Sequence, residues 1–142
     1  YGMLILSKFP ILGKGRVAFP GNTGNMAVYV DLQAGEEILR VYNVHLQSIR
    51  FRKTDYDFVN GAEQNNTSNI EQGKGLLQRM RDAYGKRAEQ ADALSEHIRS
   101  SVVKNIIVCG DFNDVPLSYA YHKVADDMND AFCEAGSGLE RT

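Results

Sequence analysis

The stretch NIIVCGDFNDVP, residues 105–116, constrains the fold of this chain more than any other segment. Its apolar run predicts a buried strand that ends at Gly110. Asp111 and Asn113 follow at positions i and i+2, which point the same way in an extended segment, while Phe112 is expected to face the core. Because ligands bind just past the carboxyl ends of buried strands in α/β proteins, we expect a functional site here.

A carboxylate beside a neutral amide is chemistry that suits Mg²⁺ and a bound phosphate. The alternative is purely structural, since Asp and Asn also end strands by bonding to their own backbone in Asx-turns. A calcium-binding EF-hand loop is excluded, because Pro116 and His122 stand where that loop needs Gly and Glu. A dinucleotide-binding glycine loop at residues 13–18 is excluded as well, because the following Phe-Pro-Gly cannot open a helix.

The segment RVYNVHLQS, residues 40–48, is the second candidate. Strand alternation places Asn43, His45 and Gln47 on one face, together with Val41. Polar side chains of this kind suit contact with a phosphate better than burial in a plain core, although a single His is more often structural. Tyr42 falls on the opposite face and is therefore not assigned to the site. A third feature, His97, lies on a basic helix and is expected to be solvated.

The order of the predicted elements indicates an α/β architecture in a single domain. We predict strands at 3–7, 26–33, 38–48 and 105–110, with an irregular connection at 8–25 and a hairpin joining the second and third strands. Residues 50–75 form a long, partly helical excursion. A helix follows, with a break at Gly85 as an open alternative. Its apolar stripe is Leu77, Met80, Tyr84, Ala88, Ala91, Leu94 and Ile98. Ser118 is expected to cap a short helix at 119–125.

The composition of the 142 residues is typical of a soluble globular protein, with 43% hydrophobic and 24% charged residues. The net charge of −2 gives no basic excess of the kind expected of a general nucleic-acid binder. Basic residues concentrate at 74–87 and acidic ones at 111–134, which would suit an anionic substrate held by a cation. No apolar run reaches the length of a membrane span. The two cysteines form no disulfide framework or zinc motif, and Cys109 is expected to be buried.

Taken together, these segments resemble the endonuclease/exonuclease/phosphatase family, whose fold is DNase I-like. The resemblance rests on LILSKFPI (4–11), VYNVHLQS (41–48), the R-x-x-Q helix RAEQADALSEHI (87–98), IIVCGDFNDVPLSYAY (106–121) and DAFCEAGSG (130–138). It implies an α/β four-layer sandwich, with two mixed sheets face to face and helices outside. It also implies hydrolysis of phosphate esters, of the phosphodiesterase or nuclease type, by water attack on phosphorus with Mg²⁺ or Mn²⁺.

The resemblance also implies roles for three residues. Asp111 matches the aspartate that activates water or binds the metal, and Asn113 matches the asparagine that holds the phosphate and orients that aspartate. His45 matches the residue that stabilises charge on the phosphoryl oxygens. The implied metal-binding residues are Asp111 and Asn113.

The family also has an Asn and a metal-binding Glu upstream of these motifs, and an Asp and a catalytic His downstream. We therefore expect residues 1–142 to be one incomplete catalytic domain that lacks its N- and C-terminal parts and has little activity alone. Expected substrates are a nucleic acid, a phospholipid head group or a small phosphodiester. The alternative is a catalytically inactive binding or interaction module on the same fold. The sequence assigns no compartment, and an upstream anchor or signal stays open.

Overall fold

The computed structural model of the protein describes residues 2–21, 23–60 and 67–136. These residues form alternating strands and helices, which confirms the predicted α/β class. In chain order the elements are β1 (Ile11–Val17), β2 (Met26–Ala34), β3 (Glu37–His45), α1 (Lys53–Asn60), α2 (Thr67–Arg99), β4 (Asn105–Asp111), α3 (Tyr119–Ala125) and α4 (Ala131–Ala135). The segment 50–75, which was expected to be long and partly helical, contains α1 and the start of α2. Its residues 61–66 lie outside the described residues.

One mixed sheet organises the described part of the chain, with its strands in the order β1-β2-β3-β4. The first three strands are antiparallel neighbours, whereas β3 and β4 are parallel and are connected through α1 and α2. Helices α2 and α3 pack on one face of this sheet. The resulting core consists of Val17, Ala27, Tyr42, Val44 and Leu46 from the sheet side and Ala91, Leu94, Ala120 and Val124 from the helices.

The hairpin of β2 and β3 is confirmed. Its two strands pair without a break from Met26 opposite His45 to Ala34 opposite Glu37. Gly35 in the two-residue turn has a φ of 68°, a conformation that glycine adopts without strain. The strand ends at His45 rather than at the predicted position 48, and the alternation ends with it. Gln47 is consequently buried instead of sharing the exposed face of His45.

The predicted strand at 3–7 is wrong, and residues 11–17 form β1 instead. The free edge of β2 pairs with this glycine-containing segment because Gly15 lies beside the ring of Tyr29. A Cβ at position 15 would come within 2.7 Å of that ring. Residues 3–7 have no strand partner in the described chain, and Leu4 and Leu6 are 71% and 85% exposed.

Helix α2 is longer than predicted and runs through Gly85 without a break. Its buried face is also different from the predicted apolar stripe, because Leu77 and Tyr84 are exposed. The face that packs inward contains Leu76, Ala83, Arg87, Gln90, Ala91, Leu94 and Ser95. The predicted stripe is right in the second half of the helix, where Ala91, Leu94 and Ile98 belong to or pack against the core. In addition, two long polar side chains, Arg87 and Gln90, take core positions.

Strand β4 is not buried on both faces, contrary to expectation. The helices that the structure describes cover one face of the sheet, so Ile106 and Val108 pack against the core while Ile107 and Cys109 are exposed. The expected burial of Cys109 is therefore wrong, whereas Phe112 packs against the core as predicted. This leaves the face of β4 that bears Cys109 and Asp111 open.

The short helix α3 begins as predicted. The side chain of Ser118 accepts a hydrogen bond from the backbone N–H of Tyr121 at 3.1 Å, which satisfies one of the free donors of the first turn. The helix then buries Ala120 and Val124 against α2 and the sheet. It thereby closes the core directly behind the loop that follows β4.

Candidate functional site

Two of the three predicted site residues are neighbours at the carboxyl ends of the parallel strands. His45 is the last residue of β3, Asp111 is the last residue of β4, and the two are paired in the register of the sheet. Residues paired in this way project from the same face, and adjacent strands are about 4.8 Å apart. Both residues are exposed on the face opposite to the helices. The structure thus brings His45 and Asp111 together.

Gly110 allows β4 to approach β3 so closely at this point. Its φ is 139°, and a Cβ at this position would lie 2.0 Å from the carbonyl oxygen of Val44. The obstructing atoms belong to the backbone, so no rotamer change can relieve the overlap. The last pair of the two strands therefore requires glycine here.

Asn113 holds the loop after β4 against the end of β3. Its φ of 52° is left-handed, a conformation that Asn tolerates better than most residues. Its backbone N–H donates to Oδ1 of Asp111 at 2.9 Å, and its Nδ2 donates to the carbonyl of Leu46 at 3.0 Å. The backbone N–H of Leu46 in turn donates to the carbonyl of Asp111 at 3.0 Å. All three predicted site residues are consequently linked within one small region.

The guanidinium group of Arg87 lies beneath two loops, the one that follows β3 and the one that follows β4. Arg87 of α2 is only 1% exposed. Its Nη1 donates to the carbonyl of Gln47 at 2.8 Å and to the carbonyl of Asn113 at 2.5 Å. Its Nε lies 3.0 Å from Oδ2 of Asp114, too poorly aligned to count as a hydrogen bond but close enough for an ion pair.

Gln90, one turn further along α2, completes this network. Its Oε1 accepts from the backbone N–H of Gln47 at 2.9 Å. Its Nε2 reaches Oγ1 of Thr23 at 3.4 Å, and Nδ2 of the nearby Asn25 donates to the carbonyl of Leu46 at 2.7 Å. The irregular residues after β3 thus have their backbone groups bonded by side chains, as buried backbone must.

Sequence reasoning missed the structural roles of Arg87 and Gln90. The predicted apolar stripe included neither residue, and no buried position was predicted for either. A signal was available in the sequence, because both residues lie in phase with the buried Ala83, Ala91 and Leu94. Two polar side chains that fall on the buried face of a helix need hydrogen-bond partners in the interior.

An open cleft of about 420 Å³ adjoins the end of β3. Four basic residues line it, against a single acidic one: Arg50, Arg52, Arg79, Lys86 and Asp82. Arg79 is already paired with the buried Asp55. The cleft is lined from α2 and from the segment after β3, and none of His45, Asp111 and Asn113 lines it. Its positive charge therefore lies beside the candidate site and not within it.

The sequence model of the Endonuclease/Exonuclease/phosphatase family matches residues 1–141. The chain belongs to this family. No match to the chain was found among curated proteins.

Solved structures confirm the DNase I-like fold of this family member. Sphingomyelinase C from Streptomyces griseocarneus is 20% identical with a TM-score of 0.52, over 85% of this chain and 36% of that chain. A beta toxin mutant from Staphylococcus aureus with bound magnesium ions is 18% identical with a TM-score of 0.51, over 87% and 38%. SmcL is 17% identical with a TM-score of 0.53, over 84% and 36%. The chain thus spans little more than a third of each of these structures. The single sheet with its helical layer is part of the expected sandwich.

The oxygen atoms at the family site fit one side of a magnesium coordination shell. Asp111 offers an exposed carboxylate, and Asn113 keeps its amide oxygen because Nδ2 is used on Leu46. Mg²⁺ is commonly bound by one or two carboxylates, waters and substrate phosphate oxygens. Across the ranges that the structure describes, no three His, Cys, Asp or Glu side chains form a metal-binding group. Asp111 and Asn113 would therefore hold an ion from one side only.

The expected solvation of His97 is wrong. Its Nδ1 lies 2.9 Å from the hydroxyl of Tyr42, and burial together with the charge of Arg40 lowers the pKa of its imidazole. Tyr42 is fully buried on the helix side of the sheet, as its position in the alternation predicted. Neither residue lies on the face that bears His45. Among the described helices, none is long and apolar enough to span a membrane.

Proposed function

We propose that this chain carries part of the active site of a metal-dependent hydrolase of phosphate esters, in which water attacks phosphorus. The observation that supports this most is the pairing of His45 with Asp111 at the ends of two parallel strands. Asn113 reinforces it, because it bonds both Asp111 and Leu46. Family membership supports the same reaction class. The domain assignment stays part of this proposal: residues 1–142 would be one incomplete catalytic domain.

Each of the three residues has a role that its surroundings support. Asp111 is an exposed carboxylate that can serve as general base or metal ligand. Asn113 fixes the orientation of that carboxylate through its backbone N–H, and the second hydrogen of its Nδ2 can donate to a phosphate. His45 stands beside Asp111 and would stabilise charge that develops on the phosphoryl oxygens.

The proposed cofactor is Mg²⁺ or Mn²⁺, held by Asp111 and Asn113 on the side that these residues occupy. When bound, such an ion lowers the pKa of water and neutralises developing negative charge. The magnesium ions in the beta toxin structure support the choice of a hard divalent cation, since that protein has a similar fold.

The proposed substrate is a phosphodiester. Family membership supports a phosphate ester, and one of the similar structures is a sphingomyelinase. A choline-type phospholipid head group is therefore the first substrate to test. A nucleic acid or a small phosphodiester follows, and the net charge of −2 favours the smaller substrates over nucleic acid.

The alternative is a binding module without catalysis on the same fold. One contact favours it: the bond from Asn113 N–H to Asp111 Oδ1 is the local bond that an Asx-turn makes for structural reasons alone. The two functions differ in what Asp111 does beyond this bond, so a substitution of Asp111 separates them.

The experiment is hydrolysis by the full-length natural protein, with and without Mg²⁺ or Mn²⁺. The panel consists of sphingomyelin, plasmid DNA, an aryl phosphodiester and an inositol phosphate. We expect Asp111→Ala to lower kcat/KM by about 10²–10⁴-fold. The matched control is Asp126→Ala, which removes an exposed carboxylate paired with Arg99 at the end of α3. Metal-dependent turnover that survives in Asp111→Ala, or a folded wild type inactive on every substrate, contradicts the proposal.

A further inference from the structure

Arg87 differs from the other ion-paired arginines because two of its partners are backbone carbonyls in two separate loops. One carbonyl belongs to Gln47, two residues after His45, and the other belongs to Asn113, two residues after Asp111. Arg40, Arg79 and Arg99 instead bond carboxylate side chains. Through Arg87, helix α2 is therefore hydrogen-bonded to the two segments that carry the candidate catalytic groups.

This position requires a guanidinium group. Its planar group places Nη1 on the two carbonyls and Nε 3.0 Å from the carboxylate of Asp114, an ion pair without a hydrogen bond, while the ring of Tyr84 lies 4.6 Å from Cζ. Lysine has one ammonium on a flexible stem and does not reproduce this arrangement. Asp114, whose side chain is 5% exposed, balances the charge of Arg87 in the interior.

The bonds of Arg87 act where the backbone is least regular. Asn113 is in the left-handed conformation, and the residues after His45 have left the sheet. The two segments are joined directly at Leu46, which bonds Asp111 and Asn113. The shared donor of Arg87 adds a bond from the helix to each segment. Nη1 alone bonds both carbonyls, so displacement of one loop displaces the other.

We propose that Arg87 is a positioning residue, which aligns the Asp111–Asn113 loop with His45 without touching the substrate itself. This inference rests on the proposed hydrolytic function. It predicts that loss of the guanidinium fork changes the geometry of the site more than the stability of the fold. Misplacement of catalytic groups by about 1 Å can lower a rate roughly 100-fold.

The test compares Arg87→Lys with Arg40→Lys in the full-length natural protein. Arg40 is the matched control because it is also largely buried and paired with a carboxylate, Asp31, but lies near the other end of β3. Steady-state kinetics give kcat and KM on the substrate that the wild type hydrolyses. A second experiment measures hydrogen exchange of backbone amides at 46–48 and 111–114 in the metal-free protein.

For Arg87→Lys we expect kcat to fall about 100-fold with KM nearly unchanged, and exchange at both loops to accelerate relative to amides of α3. For Arg40→Lys we expect a lower Tm, an unchanged kcat and unchanged exchange at the loops. A second variant, Asp114→Asn, keeps both carbonyl bonds of Arg87 and should lose less than 10-fold in kcat.

The outcomes separate the two proposals. If Arg87→Lys leaves loop exchange unchanged, the positioning role is wrong, whatever the activity. If both loops loosen but kcat falls no further than in Arg40→Lys, Arg87 is structural only. If Asp114→Asn loses as much kcat as Arg87→Lys, the ion pair acts instead of the carbonyl bonds. An inactive wild type with loosened loops in Arg87→Lys would instead reject the hydrolase function and leave the alignment of the loops supported.

Discussion

The two buried arginine clusters at opposite ends of β3 show how one residue type serves two purposes. Near the start of the strand, Arg40 bonds both oxygens of Asp31 at 2.6 and 2.8 Å and lies over the ring of Tyr29. Both partners belong to the neighbouring strand β2, and Nη1 also reaches Ser101 at the end of α2. At the other end, Arg87 bonds the backbone of irregular loops. The first cluster therefore joins regular elements, whereas the second orders segments that the sheet cannot order.

The electrostatics of the two ends differ as well. The bidentate bond from Arg40 lowers the pKa of the Asp31 carboxyl, and burial raises the pKa of the Tyr42 hydroxyl. Both effects keep the Arg40 cluster in one charge state around neutral pH. The opposite end has an exposed carboxylate and an exposed imidazole side by side. Fixed charges support the fold at one end, and accessible groups are available for chemistry at the other.

The largest effect in this comparison is expected from glycine substitutions. Gly110→Ala places a Cβ on the Val44 backbone and forces alanine into a φ of 139°, so it should cost about 4 kcal/mol of unfolding free energy. Gly15→Ala near the Arg40 cluster meets only the ring of Tyr29, which can move, and should cost about 1–2 kcal/mol. Urea denaturation measures both.

The control for both glycines is Gly85→Ala, because no atom lies within 4 Å of a Cβ there and the residue is helical. This change should stabilise the protein by about 1 kcal/mol. If Gly110→Ala cost no more than Gly15→Ala, the close approach of β4 to β3 would not depend on glycine.

The next effect concerns the two histidines. His45→Ala should lower kcat by about 10²–10³-fold with little change in Tm, because the side chain is exposed and would act only on the transition state. His97→Gln should do the reverse, since its imidazole bonds Tyr42 in the interior. Steady-state kinetics and thermal unfolding of both variants measure this. Equal losses of kcat in His45→Ala and His97→Gln would show that the two ends of β3 do not differ in this way.

Local sequence patterns predicted those parts of the fold that local chemistry determines. The hairpin at Gly35, the Ser118 cap and the placement of Phe112 against the core all depend on neighbours along the chain. The position of Asp111 and Asn113 just past a strand was predictable in the same way, because the end of a strand is determined by residues close together in the sequence. Their proximity to His45 depends on the parallel register of β3 and β4, which no periodicity in the sequence shows.

The misplaced features share a different cause, which is a contact distant in sequence. Residues 11–17 pair with β2, where Gly15 lies against Tyr29, and the stripe of α2 did not include the buried Arg87. His97 is partly buried and contacts Tyr42, a strand residue more than fifty positions away. In each case, a tertiary partner overrides the local preference of the residue, and no single segment of sequence contains both partners.

The smallest expected effect is the pH dependence of stability at the Arg40 end. Tyr42 and Tyr29 contact the imidazole of His97, and Arg40 adds positive charge nearby, with Asp31 as its counter-charge. Burial and the charge of Arg40 lower the pKa of His97 in the folded protein below the ordinary value of about 6.5. The unfolded chain consequently binds more protons than the folded one as the pH falls below about 6.5, and stability decreases with acidification.

His97→Gln removes this titration while keeping an atom that can accept from the Tyr42 hydroxyl. We therefore expect Tm of the wild type to fall more steeply than that of the variant between about pH 7 and pH 5, with the difference saturating below the folded-state pKa. Gly85→Ala is the control, because it changes no titratable group and leaves His97 in place, and its pH profile of Tm should run parallel to that of the wild type. Parallel profiles for the wild type and His97→Gln would mean that the acid sensitivity of the fold lies outside the Arg40 cluster. The two ends of β3 would then differ in bonding but not in their response to protons.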